Sequence, residues 1–85
     1  MPMVALEVVL RDSNGNENLA GKLIVDDDEA HPFDLPTKLP IDAGRCKLEA
    51  RCTGRSIKGI NPRVVEVTVP IDPGAPAQKE IFELL

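Results

Sequence analysis

Arg45-Cys46-Lys47-Leu48-Glu49-Ala50-Arg51-Cys52 alternates without interruption, charged at the odd positions and apolar at the even ones. That is the period of a strand with one solvated face and one dry face. It predicts an interior column of Cys46, Leu48, Ala50 and Cys52. It also bears on the two thiols. An unbroken strand would separate them by roughly 20 Å, whereas a disulfide needs Cα atoms within about 7 Å. Cys46 and Cys52 are therefore expected to be buried free thiols, which behave as small hydrophobes.

Working outward, the same alternation recurs. Val4, Leu6, Val8 and Leu10 share one face of a strand expected over Val4–Arg11, with Ala5, Glu7, Val9 and Arg11 on the other. Asp12-Ser13-Asn14-Gly15-Asn16 follows, and Asn-Gly is a strong hairpin signal. A second strand is expected over Leu19–Asp26, with Gly21 as a bulge or close-approach site. Asp26-Asp27-Asp28-Glu29 ends it, because adjacent carboxylates repel and seek water. Ala30–Gly44 carries Pro32, Pro36 and Pro40, so a loop is expected there. It would hold a short edge strand at Phe33–Leu35 and turn Leu39 and Ile41 inward. Gly54–Pro62 reads as a connection anchored by Ile57 or Ile60. Val65, Val67 and Val69 share a face of an Arg63–Val69 strand. Pro73-Gly74 suits a type II turn, and Gln78–Leu85 closes the chain.

Turn signals recur between these segments, and no helical period interrupts them. The 85 residues are expected to form one domain over 1–85. Its fold class is all-β: an immunoglobulin-like or prealbumin-like β-sandwich of about six to seven antiparallel strands. The core is aliphatic, since Phe33 and Phe82 are the only aromatic residues.

From Leu23 to Leu85 the order of features resembles PEGA-like modules and related carboxypeptidase-regulatory-like β-sandwiches. The matching pieces are Leu23-Ile24-Val25-Asp26, Leu39-Pro40-Ile41-Asp42-Ala43-Gly44 with its following strand, Val65–Val69, and Ile81-Phe82-Glu83-Leu84. The chain departs from the pattern where Asp26-Asp27-Asp28 replaces an Asp-Gly turn, where Cys46 replaces an aromatic residue, and where Gly54-Arg55 replaces a Gly-Tyr pair. The resemblance implies a non-catalytic spacer, interaction unit or attachment, of a kind common on surface and secreted proteins.

Net charge is −4. A nucleic-acid role is excluded on that balance, because phosphate recognition needs a basic surface. No segment reaches the ~20 apolar residues of a membrane-spanning helix, so no membrane insertion is expected. The unpaired thiols and the lack of a signal-peptide pattern at Met1-Pro2-Met3-Val4 point to the cytoplasm. An excised domain would leave an extracytoplasmic location open.

The single histidine, His31, precedes Pro32 in a loop. A triad would need it beside Ser13, Ser56 or Cys46, and the strand phase turns the thiols away from it, so no enzymatic activity and no cofactor are expected. Asp26, Asp28 and Glu29, with Asp27 and His31, offer hard ligands suited to calcium. They lack the Asp-x-Asp-x-Asp-Gly spacing, so the solvated acidic turn is the plainer reading, and contact with a basic partner patch its plainer use. Lys22, Asn61 and Glu66 are the residue types of a sandwich cross-link, with nothing to bring them together. The expected function is a structural or interaction module making protein–protein contacts, or self-associating through edge strands at Val4–Leu10 and Gln78–Leu85. The alternative is an accessory domain coordinating a cation through the Asp26–His31 loop.

Overall fold

The alternating stretch forms an extended strand over Gly44–Arg51. It is the fifth of seven in a computed structural model that describes residues 3–85, which leaves Met1 and Pro2 outside the described residues. In chain order the strands are β1 (Met3–Arg11), β2 (Gly21–Val25), β3 (Phe33–Leu35), β4 (Thr37–Asp42), β5 (Gly44–Arg51), β6 (Arg63–Val67) and β7 (Gln78–Glu83). They form two sheets, ordered β4-β1-β7 and β3-β2-β5-β6. One hydrophobic cluster draws on all seven strands and lies between the sheets. The architecture is an all-β sandwich.

The even-numbered face of β5 is the dry one: Cys46, Leu48 and Ala50 are buried against Leu6, Val8, Leu10, Leu23 and Phe82. Cys52 departs from the expectation. β5 ends at Arg51, the chain turns through Thr53 and Gly54, and Cys52 is left half-buried beyond the strand. Both thiols are free.

Several expected boundaries and neighbours are corrected. The strands are not all antiparallel: β1 and β7 run parallel, from Leu6 opposite Gln78 to Arg11 opposite Glu83. β1 is the centre of its sheet, with β4 antiparallel on its other side, so the strand expected at an edge lies between two others from Leu6 to Val8. The Asn14-Gly15 turn forms, with Gly15 at φ +84° and its N–H bonded to Asp12 O at 3.0 Å. It joins two sheets and not a hairpin. Asp12 holds it together by accepting from the N–H groups of both Asn14 and Asn16 at 2.9 Å.

The Ala30–Gly44 region contains two strands, not one. β3 forms at the expected Phe33–Leu35, and Leu39 and Ile41 do point inward, but they belong to a six-residue strand. Pro40 is tolerated there because β4 is an edge strand. The chain passes from one sheet to the other at the cis Leu35–Pro36 bond. β6 stops at Val67, leaving Val69 exposed, and Ile57 packs on the core whereas Ile60 is 75% exposed. At Pro73-Gly74 the N–H of Ala75 reaches Asp72 O at 2.9 Å, yet Gly74 lacks the positive φ of a type II turn.

Gly21 is a close-approach site. A Cβ there would lie 2.7 Å from the carbonyl oxygen of Arg51 and collide with the Leu10 side chain. The missing side chain lets β1 and β2 meet across the core at the point where the chain changes sheets.

Candidate functional site

The acidic run is the first place to look for chemistry. Asp26 and Asp27 both have positive φ, 51° and 63°, and the N–H of Asp28 reaches Val25 O at 3.0 Å. That is the signature of a type I′ turn. Aspartate tolerates the left-handed region better than most residues because its short side chain bonds locally.

Each carboxylate has its own partner. Asp26 Oδ1 accepts the Lys47 N–H at 3.0 Å, and the Asp26 N–H donates to Lys47 O at 2.9 Å. Asp27 pairs with Lys47 Nζ at 2.8 Å. Glu29 pairs with Arg51, which also meets Glu49 at 2.8 Å. Asp28 lies 3.2 Å from His31 Nδ1. The hydrogen bond to Asp27 holds the Lys47 ammonium above its usual range, and those to Glu49 and then Glu29 do the same for Arg51. The turn is thus clasped to the outer face of β5. Ile24, which points outward from β2, is only 3% exposed beside it.

This geometry separates the sequence-predicted ligands. Asp26, Asp28 and Glu29 serve a backbone amide, an imidazole and a guanidinium, three different destinations. Among the described residues no three His, Cys, Asp or Glu side chains are placed to hold one metal ion. The negative charge is also matched internally by Lys47 and Arg51, which weakens its pull on a basic partner. His31 bonds to Asp28, and no hydrogen bond among the described residues joins it to Ser13, Ser56 or Cys46. Lys22 pairs with Asp34 and Asn61 bonds to Ala50, so two of the three residues considered for a cross-link are engaged elsewhere. Burial pushes the Cys46 thiol up to about 11, with the Asp26 charge adding to it.

The sheet edges are the second place to look. On the β6–β7 flank, side chains stand in for missing strands. The Gln78 carboxamide donates to Glu66 O at 2.9 Å and accepts from Thr68 N at 3.2 Å. Arg63 donates to Ile81 O at 2.8 Å, lies 4.2 Å from the centre of the Phe82 ring, and meets Glu80 at 3.5 Å. Ser56–Lys58 covers the end of β7: the Lys58 N–H reaches Glu83 O at 2.7 Å and the Leu85 N–H reaches Ser56 O at 3.0 Å. Gln78–Leu85 is an edge, as expected, but its outer side is largely closed. Asn61 repeats the carboxamide device one strand away, exchanging two bonds with Ala50 at 3.0 and 2.7 Å.

Sequence reasoning missed these roles for Arg63, Gln78 and Asn61. A polar residue at or near a strand terminus was the only signal, and it does not name its partner.

The third feature is the distribution of exposed apolar side chains. Ile60, Val64, Val69 and fully exposed Ile71 lie on β6 and its two flanking connections. Most charges elsewhere on the sheets are paired. Compared with family models, with curated proteins and with solved structures, the chain matches none of them.

Proposed function

We propose that the chain is a non-catalytic β-sandwich module that works through protein–protein contacts, as a spacer, assembly or attachment unit. The order of features from Leu23 to Leu85, similar to PEGA-like modules, supports this reading, as does the two-sheet architecture. Within that architecture an immunoglobulin-like or prealbumin-like type is the finer proposal. The observation that carries the function is the exposure of Ile60, Val64, Val69 and Ile71 on β6 and its two flanking connections. The core has taken the inward-facing apolar residues of all seven strands. Aliphatic groups left in water along one stretch are surface that a partner would cover.

Edge pairing is the less favoured route of contact. β3 has three residues, β4 carries Pro40 and Lys38, and β6 and β7 are closed by side chains. These are the devices by which sheets avoid accepting foreign strands. Contact through side chains on the β6 side of the molecule fits the geometry better.

The test is sedimentation and affinity purification from the source cell, comparing wild type with the Val64→Asp and Ile71→Asp double variant. Both positions are exposed, so folding is expected to survive. A discrete assembly or partner that the double variant loses would support the proposal. Identical behaviour of the two proteins, with monomer alone at high concentration, would count against it.

A further inference from the structure

β7 begins opposite Leu6, so Met3–Ala5 at the start of β1 have no β7 residue beside them. Pro76 supplies no amide proton with which to extend that ladder. The Thr68–Ala77 connection instead arches away. A groove of about 600 Å³ opens between it and the sheet. Ala5 and Lys38 of the sheet line it together with Thr68, Pro70, Pro73, Pro76 and Gln78. The volume is within the range of small-ligand and peptide clefts.

The chemistry of the groove is lopsided. The prolines offer apolar surface and no donors. Gln78 is engaged with Glu66 and Thr68. Lys38 is the one charged side chain in the lining, and no carboxylate among the described residues forms an ion pair with it. Glu7 stands opposite Lys38 in register without forming an ion pair with it, and its charge also acts on Lys79 on the other side of β1. The groove therefore combines proline surface with one cation outside any ion pair, and the exposed Ile71 follows Pro70 of its lining in the chain.

We infer that this groove receives an extended segment of a partner protein in which aliphatic residues alternate with carboxylates. The aliphatic side chains lie against the proline surface and a carboxylate meets Lys38. This inference rests on the module reading above and names the class of partner for it. The sheet beside it gives the segment a flat floor, and extended chains present alternate side chains to opposite sides.

The probe is the N-acetylated, C-amidated pentapeptide Val-Asp-Val-Glu-Val, titrated into ¹⁵N-labelled full chain and followed by amide chemical shifts. Its Val-Asn-Val-Gln-Val counterpart is the control. Shifts are expected at Met3–Ala5, Lys38 and Ala75–Gln78. The acidic peptide should bind more tightly by about fivefold at low salt, the upper range of a surface ion pair. Lys38→Glu, at an exposed position, should erase that preference. Equal binding of the two peptides, or a preference that survives Lys38→Glu, would overturn the inference. So would shifts confined to other surfaces, or none. If the groove residues instead shift with protein concentration alone, the occupant is a second copy. The peptide inference then fails while the module reading stands. Loss of assembly in the Val64→Asp and Ile71→Asp variant tests that reading separately.

Discussion

The two flanks of the sandwich close in different ways. On the β3–β4 flank the chain itself does the work: β3 belongs to one sheet, β4 to the other, and the passage at Leu35–Pro36 binds them covalently. On the β6–β7 flank the strands are neighbours in space but are separated in sequence by the Thr68–Ala77 connection. There the seam depends on side chains, with Gln78 and Arg63 bonding to backbone groups that a further strand would otherwise use. The first flank is secured by connectivity and the second by chemistry. Substitution should damage the second more readily.

The largest effect should come from Phe82→Ala. It removes the largest fully buried side chain and the ring beneath Arg63. A loss of about 3–5 kcal/mol is expected in urea unfolding. Gly21→Ala tests the other flank, since Gly21 pairs with Leu35 of β3. The added methyl meets backbone at Arg51 that cannot rotate away, and about 3 kcal/mol should be lost. A cost under ~1 kcal/mol would show that β2 shifts freely and that this flank is looser than its connectivity suggests.

Cys46 gives a comparison by pH. Its folded-state value is raised from the ordinary 9.0 to about 11. Between those values the unfolded chain releases the thiol proton and the folded chain keeps it. The contribution is present below pH 9 and is lost as pH rises towards 11, by on the order of 2 kcal/mol. Thermal melts across this window should fall in wild type and stay flatter in Cys46→Ala. In native protein, thiol reagents should label half-buried Cys52 well before Cys46.

Gln78→Ala should cost about 1 kcal/mol by leaving Glu66 O and Thr68 N to water. It should also raise self-association measured by sedimentation, because the β6 edge is then open. An unchanged sedimentation profile would mean that the carboxamide stabilises the seam without guarding it. The smallest effect belongs to the acidic clasp. Asp27→Asn keeps a residue tolerant of the left-handed turn and removes one exposed ion pair with Lys47. The loss should be the smallest of the series, and salt should shrink it further. The acid limb has a different source. Arg11 bonds to Glu83 and holds its carboxyl below the usual range. That contribution is present above the unfolded carboxylate value and fades as pH falls through the folded one, so Arg11→Met should flatten the acid side of the stability curve.

Much of the strand content was legible in the residues. β5, β1 and the short β3 follow from alternation and punctuation, and the acidic turn follows from four adjacent carboxylates. β4 was obscured by Pro40, although Leu39 and Ile41 alternate with Lys38, Pro40 and Asp42 in the phase of an edge strand. The metal reading treated the carboxylates as a cluster because they are adjacent in sequence. Consecutive residues in a tight turn point in different directions, and β5 supplies Lys47 and Arg51 to meet two of them. The exposed stretch at Ile60–Ile71 was hidden for the opposite reason. Val65, Val67 and Val69 read as one inward face, and only the end of β6 at Val67 leaves Val69 in water, while Val64 lies on the opposite face.

By itself the sequence determined which residues of β1, β4 and β5 face inward, because that depends on a two-residue period set by the backbone of each strand. It also placed the sharp turns, where glycine, aspartate and asparagine meet conformations other residues resist. Only the tertiary structure decided which strands are neighbours, that β1 and β7 run parallel, and that Arg63 and Gln78 close a seam. Alternation records a face and carries no record of the strand beside it. Partners far apart in the chain are selected when both sheets compete for the same core.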